Sequence, residues 1–198
     1  MAKPLRGISA VILGFSGLLL VLLALPRVAT AEERLWSLLT SGGQVVLMRH
    51  ALTTPGTGDP PGMRIDDCAT QRNLVDEGRR HAREVGAAFK VRRVAVDRVL
   101  TSPWCRCIET ANLAFGKAET SEALSNLFGR REGQAAQVEA LRQLAGEYRG
   151  KGNLVLVSHG STIAALTGIS PDTSELVVVT PQGSGLFSVA GRLAAHAR

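Results

Sequence analysis

Two histidines that end apolar runs, together with two arginines, carry the chemistry this sequence offers. Gln44-Val45-Val46-Leu47-Met48 runs into Arg49-His50, and Asn153-Leu154-Val155-Leu156-Val157-Ser158 runs into His159-Gly160. The chain has four histidines, so half of them occupy the same kind of position. An uninterrupted apolar run bounded by glycines or loop residues reads as a strand buried on both faces. Ligands of open α/β sheets bind at the carboxyl ends of such strands. Parallel strands ending on one edge would bring Arg49, His50 and His159 together there.

The residue types narrow the reaction. Imidazoles can ligate a metal, but the adjacent arginine opposes a cation and no cluster of carboxylates completes a ligand set. No metal and no other cofactor is expected. Phosphoryl transfer fits better, because guanidinium forks match phosphate oxygens bidentately. Fixed positive charge also stabilises the equatorial oxygens during transfer. A neutral imidazole nitrogen is a competent nucleophile toward phosphorus, and neighbouring cations disfavour its protonated form.

The elements that must position these groups follow from periodicity. Residues 32–43 read as a short helix (Leu35, Trp36, Leu38, Leu39) ending at Ser41-Gly42-Gly43. Thr53 to Arg64, rich in Thr, Pro and Gly, is loop, and loops beside strand ends carry substrate contacts. Asn73 is placed to cap a helix running to about Val91, with Ala82, Val85, Gly86 and Phe89 as its core stripe. Arg79, Arg80 and Arg83 read as its solvated face. Asp97-Arg98-Val99-Leu100 is a strand that ends at Thr101-Ser102-Pro103, with Pro103 opening the next helix. In that helix Trp104, Ile108, Ala111 and Phe115 recur at core spacing. Arg106 falls opposite them, which by periodicity alone makes it a surface arginine, although one at a strand end where a cleft opens. Gln134 to Tyr148 is an amphipathic helix (Val138, Leu141, Ala145, Tyr148), and Leu176 to Val179 and Leu186 to Val189 close the chain as strands. Strands alternating with helices give an α/β protein, a three-layer α/β/α sandwich with a largely parallel central sheet.

Length and composition agree with one domain: 198 residues, 45% hydrophobic and only 4% aromatic, hence a core of Leu, Val and Ala. The first 31 residues stand apart. Lys3 and Arg6 precede an apolar run from Ile8 to Leu25, and Ala29-Thr30-Ala31 matches a small-residue cleavage site. The run is also nearly long enough to span a bilayer. Residues 1–31 are therefore a signal peptide or an N-terminal membrane anchor, and residues 32–198 the exported domain, periplasmic or secreted. The leader holds Lys3, Arg6, Arg27 and no acid, so 20 basic and 17 acidic residues remain, a net charge of +3. That balance removes most of the support for nucleic-acid binding. An oxidising compartment allows two of the three cysteines to pair. Cys105 and Cys107, two apart on a helix, do not face each other, so Cys68 is expected to pair with one of them.

In order, four segments resemble the histidine phosphatase superfamily, the phosphoglycerate-mutase-like proteins. Val46-Leu47-Met48-Arg49-His50-Ala51-Leu52-Thr53 resembles the signature built on Arg-His-Gly, with Ala51 in place of the glycine. Asn73-Leu74-Val75-Asp76-Glu77-Gly78-Arg79-Arg80-His81-Ala82 is similar to the family's Leu-Thr-x-x-Gly-x-x-Gln-Ala segment. Ser102 to Ala111 is similar to its Ser-x-x-x-Arg-x-x-x-Thr-Ala helix, and Val157-Ser158-His159-Gly160 to its second histidine motif. The resemblance implies a phosphoglycerate-mutase-like fold and hydrolysis of small phosphorylated substrates. It makes His50 the nucleophile that becomes a phosphohistidine, and Arg49, Arg106 and His159 the phosphate pocket. Thr53, Asn126 and Gly160 would then lie against substrate. A bond from Cys68 to Cys105 or Cys107 would pin the Asp66-Asp67 loop beside Arg106.

One position departs from the family pattern. A carboxylic acid in a Leu-x-Glu context normally protonates the leaving group, whereas Leu124-Ser125-Asn126 places an amide there. Glu132, Asp59, Asp66 and Asp67 are the substitutes at hand. Alternatively the substrate carries a good leaving group, such as a sugar 1-phosphate or an anhydride. The expected activity is that of an exported phosphatase acting on phosphate monoesters; the competing reading is a non-catalytic phosphate-binding protein that uses the same pocket.

Overall fold

The computed structural model describes residues 29–129 and 132–195. The expected leader therefore lies, up to residue 28, outside the described residues. Helix α1 (Ala31–Ser41) opens on a capping box: Thr30 Oγ1 accepts from Glu33 N at 3.1 Å, and Glu33 Oε2 accepts from Thr30 N at 2.7 Å. Thr30, expected in the cleavage motif, thus caps the folded domain. Gly42 ends the helix at φ 78°, within the expected Ser41-Gly42-Gly43 stop, in a positive-φ conformation that glycine adopts freely.

Six strands form one sheet: β1 (Val45–Arg49), β2 (Val96–Thr101), β3 (Glu119–Thr120), β4 (Asn153–Ser158), β5 (Glu175–Gly183) and β6 (Leu186–Ala194), in the order β3-β2-β4-β1-β5-β6. Strands β1 to β4 pair in parallel, while β5 runs against β1 and β6 against β5. The sheet is thus mixed, and parallel in the half that carries the histidines. The two-residue turn Ser184-Gly185, where both residues have positive φ (51° and 69°), closes β5 and β6 into a hairpin. The two hairpin strands run longer than their apolar centres indicated. The edge strand β3, two residues long, is too short to show a period and was not expected.

Side chains alternate across the sheet. Val46, Met48, Val155, Val157 and Val178 meet α1, α2 (Asp76–Val91) and α3 (Cys105–Phe115) on one face. Val45, Leu47, Leu154, Leu156 and Val177 meet α4 (Gln134–Gly146) and α5 (Gly160–Thr167) on the other. Each such buried Val or Leu contributes roughly 1.5–3 kcal/mol of transfer free energy, which fixes three layers and one register. No helix among the described residues is long and apolar enough to cross a membrane.

Several element ends differ from the expected ones for identifiable reasons. Asn73 does not cap α2. Leu74 forms an antiparallel bridge with Thr53, which holds this stretch extended, so the helix starts at Asp76 with Val75 as its cap residue. Asn73 Nδ2 instead donates to Cys68 O at 2.6 Å. Helix α3 starts at Cys105, leaving Pro103 and Trp104 ahead of it, and it buries Arg106, Cys107, Thr110 and Ala111 rather than Ile108. Helix α4 stops before Tyr148, whose hydroxyl donates to Asp97 at 2.9 Å. Gly86, in the expected stripe, lets α2 approach α3, since a Cβ there would run into the Ala114 carbonyl.

The connections after the neighbouring strands β1 and β4 leave on opposite faces, toward α2 and toward α5. A crevice opens where such strands part, and both histidines stand at its edge.

Candidate active site

The pairing register sets the two histidines side by side. Met48 pairs with Val157 and Arg49 with Ser158, and the His50 amide donates to Ser158 O at 2.9 Å. Alternation then separates their neighbours. Arg49 falls on the α5 side, where a Cβ on Gly160 would lie 3.3 Å from Arg49 Nε; the missing side chain makes that approach easy. Arg49 Nη1 donates to Pro171 O at 2.8 Å. His50 and His159 fall on the α3 side, with ring centroids 5.4 Å apart and planes at 68°.

His50 is 3% exposed. Its Nδ1 lies 2.9 Å from Ala51 O. A carbonyl only accepts, so Nδ1 carries the proton and Nε2 keeps a free lone pair. Burial drives the His50 pKa down to about 3; the Ala51 carbonyl opposes this, and the charges of Arg106, Arg49 and Arg72 reinforce it. The loop after His50 is tied to α3, because Ala51 N donates to Thr110 Oγ1 at 3.0 Å and that hydroxyl donates to Arg106 O at 2.7 Å.

His159 is buried as deeply. Its Nδ1 faces Arg106 Nη2 at 3.4 Å, and its Nε2 faces Ser102 Oγ at 2.8 Å. A guanidinium only donates, so Nδ1 accepts and the ring proton sits on Nε2, toward Ser102. Burial holds this ring well below the usual histidine value, and the His50, Arg106, Arg49 and Arg72 charges add to it.

Arg106 is not a surface residue: it is 2% exposed. What permits that is Asp59, from the loop between β1 and α2. Arg106 Nη1 donates to Asp59 Oδ1 at 2.6 Å and Nη2 to Oδ2 at 3.1 Å. Trp104 Nε1 donates to Oδ2 at 3.1 Å and Arg72 N to Oδ1 at 3.2 Å. Burial alone would raise the Asp59 carboxyl, but these hydrogen bonds and the Arg106 charge outweigh it and hold it below the ordinary value. Asp59 is therefore an ionised counter-charge and not a proton donor.

One open cavity of about 400 Å³ collects the predicted residues: Arg49, His50, Arg106, Asn126, His159 and Gly160 all line it. Thr53 does not; its β-bridge to Leu74 keeps it in the wall behind, and Thr57 of the same loop lines the cavity instead. Asn126 Oδ1 accepts from Phe128 N at 3.0 Å and from Ser161 Oγ at 2.9 Å, which leaves the amide NH₂ for a ligand. None of the proposed acids takes the missing role. Asp66 is exposed, Asp67 pairs with Arg64 and caps the turn at residues 68–70, and Glu132 is exposed outside the cavity wall. Among the described residues, no carboxylic acid lines the cavity.

Sequence reading also missed Arg72 and Phe128, both of which line the cavity. Each sits in a stretch without a period, and only the fold brings them to His50.

The disulfide joins Cys68 to Cys105, 37 residues apart. It fastens the long loop to the first residue of α3, next to Arg106. Gln71 reinforces the junction, accepting from Cys105 N at 2.9 Å and donating to Arg64 O and Ile65 O. The acid that this loop delivers to Arg106 is Asp59, not Asp66 or Asp67. Cys107 is the free thiol, buried, with its pKa pushed up to about 12 by burial.

Comparison with known proteins places this geometry in context. A sequence profile of the histidine phosphatase superfamily (branch 1) matches residues 45–138. The fold is similar to that of the protein histidine phosphatase SixA complexed with tungstate, at 21% identity and a TM-score of 0.57 over 77% of this chain and 97% of that one. It is also similar to the product of an open reading frame of Mycobacterium tuberculosis, at 18% identity and a TM-score of 0.59 over 77% and 98% of the two chains. A phosphoserine phosphatase from Entamoeba histolytica, solved with 3-phosphoglyceric acid, is 16% identical with a TM-score of 0.52 over 69% and 89%. A comparison with curated proteins gave no match. The profile match over residues 45–138, the α/β architecture and the two strand-borne histidines agree in making this chain similar to the histidine phosphatase superfamily over that stretch.

Proposed function

We propose that this protein is an exported phosphatase that hydrolyses phosphate monoesters through a phosphohistidine on His50, with the phosphoryl group held by Arg49, Arg106 and His159. The observation that carries the reading is His50 itself: buried, neutral, its Nδ1 proton committed to Ala51 O, and its Nε2 lone pair left at the wall of an arginine-lined cavity. That is the form of imidazole that attacks phosphorus.

In the first step His50 Nε2 bonds to phosphorus as the bond to the leaving group breaks. The guanidinium groups offset charge on the equatorial oxygens. An entering phosphate dianion raises the pKa of His159, which lets its Nδ1 bind a proton and donate to a phosphoryl oxygen. Water then attacks phosphorus, the P–N bond breaks, and neutral His50 and inorganic phosphate result. With an amide at Asn126 and no acid in the cavity wall, the leaving group must depart largely unassisted and take its proton from water. That favours activated substrates, a sugar 1-phosphate or an anhydride, over simple alkyl esters. The SixA relative, described as a protein histidine phosphatase, supports extending the list to N-phosphoryl groups. Export is supported by the leader pattern and by the Cys68–Cys105 bond, because cytosolic thiols are kept reduced.

The missing acid also favours one competing reading, a phosphate-binding protein without turnover. Hydrolysis of p-nitrophenyl phosphate separates them. The phosphatase releases nitrophenol and loses that activity on His50→Ala; a binder takes up vanadate and releases none from acid to neutral pH.

A further inference from the structure

We infer that Arg72 is a third phosphate-binding residue of this site and supplies the positive charge that Asp59 withdraws from Arg106. The inference rests on the cavity being a phosphate site, as proposed above, but not on turnover.

Arg106 is largely occupied. Its Nη1 donates to Asp59 Oδ1 at 2.6 Å and reaches Arg72 O at 3.5 Å, and its Nη2 donates to Asp59 Oδ2 at 3.1 Å and reaches His159 Nδ1 at 3.4 Å. Only its Nε, buried and without a hydrogen-bond partner, is uncommitted. The bidentate fork that makes arginine a phosphate ligand is closed on a carboxylate.

Arg72 is in the opposite condition. It lines the same cavity. Its Nη1 donates to Gly56 O, which steers the side chain, and its Nε is buried without a partner. No carboxylate forms an ion pair with it among the described residues. Its charge is felt by both His50 and His159. The distribution of carboxylates points the same way. Arg49, Arg72 and Arg106 all line the cavity; Asp59 is bonded to Arg106 and the Asp172 charge acts on Arg49, whereas no carboxylate is hydrogen-bonded to the Arg72 side chain among the described residues.

The backbone of Arg72 has a separate task that a side-chain substitution leaves in place: its N–H donates to Asp59 and its carbonyl accepts from Arg106. The test therefore compares the full exported chain with Arg72→Gln, Arg72→Lys, Asp59→Asn and the double variant Asp59→Asn/Arg72→Gln. Titration calorimetry with inorganic phosphate and with vanadate gives Kd, p-nitrophenyl phosphate gives KM and kcat, and thermal melting checks the fold. Arg72→Gln is expected to weaken phosphate about tenfold or more, the scale of a lost charged hydrogen bond. KM should rise with it while kcat stays within a few fold, and Arg72→Lys should recover part of the loss. Asp59→Asn frees the Arg106 fork, so phosphate should bind tighter and the Arg72→Gln penalty should shrink in that background. Unchanged phosphate affinity in a folded Arg72→Gln protein overturns the proposal. If that variant does not fold, Asp59→Asn decides, since phosphate binding no tighter than wild type overturns it equally. Absence of wild-type turnover with these affinity changes intact would count against the phosphatase reading and leave the assignment of Arg72 standing.

Discussion

The Asp59 carboxylate holds both terminal nitrogens of Arg106, at 2.6 and 3.1 Å, and the two side chains are buried together. Removing one partner of such a pair strands the other charge, at a cost of about 3 kcal/mol. Asp59→Asn is expected to lower stability by that order at neutral pH, read from urea unfolding. The sign with pH follows from the depressed Asp59 pKa. Its contribution is complete above the unfolded value of about 4 and is lost as pH falls through the folded one. Wild type and variant should therefore converge in strongly acidic solution; a constant difference would contradict the ion pair.

His50 and His159 add to the loss of stability in acid, from a higher pH. Both are neutral when folded, His50 down to about pH 3, whereas an unfolded histidine binds its proton near 6.5. Between those values the unfolded chain binds more protons, so stability falls as pH drops, by up to about 1.4 kcal/mol per pH unit for each histidine. His50→Gln should flatten that dependence by about one proton between pH 6.5 and 4. The same depressed pKa predicts that kcat/KM shows no acid limb near 6.5 from His50. A full limb there, lost on substitution of His50, would show the ring to be protonated.

The Cys68–Cys105 bond closes a 37-residue separation that contains Arg72 and the approach to α2, and on chain-entropy grounds it contributes about 4 kcal/mol. Cys68→Ser is expected to lose stability of that order and to raise KM, since the loop bearing Arg72 is no longer fastened to α3. The native protein should show no thiol reactive toward Ellman's reagent, because Cys107 is buried and its pKa is about 12, and one thiol after denaturation without reductant. Two or three reactive thiols in freshly prepared protein would refute the pairing.

By the sequence resemblance Asn126 occupies the position of the family's leaving-group acid; its Oδ1 is held by Phe128 N and Ser161 Oγ. An aspartate can keep both bonds and present its second oxygen to the cavity. Asn126→Asp is expected to raise the rate on alkyl phosphates relative to p-nitrophenyl phosphate, by about tenfold or more on the scale of general acid catalysis. Rates that fall equally on both substrate types would remove Asn126 from the leaving-group side.

The parts of the fold that were legible in the sequence are those where burial and chemistry meet in a short run. β1 and β4 are apolar on both faces and end abruptly in His50 and His159, so strand, edge and site were read together. Arg106 was misjudged by periodicity because a helical pattern sorts residues by polarity. Its burial depends on Asp59, which lies 47 residues earlier in a loop without a period. Arg72 was missed for the same reason. The start of α2 was displaced because the Thr53–Leu74 bridge, a long-range contact, overrides the local capping preference of Asn73.

The central claim is that His50 Nε2 becomes covalently phosphorylated. Rapid mixing of the protein with an activated phosphate ester, an alkaline quench and peptide mass spectrometry tests it directly. The account predicts a phosphoryl group on His50, stable to alkali, labile to acid and absent from His50→Ala. Turnover that proceeds without that adduct, or that survives in His50→Ala, would contradict it.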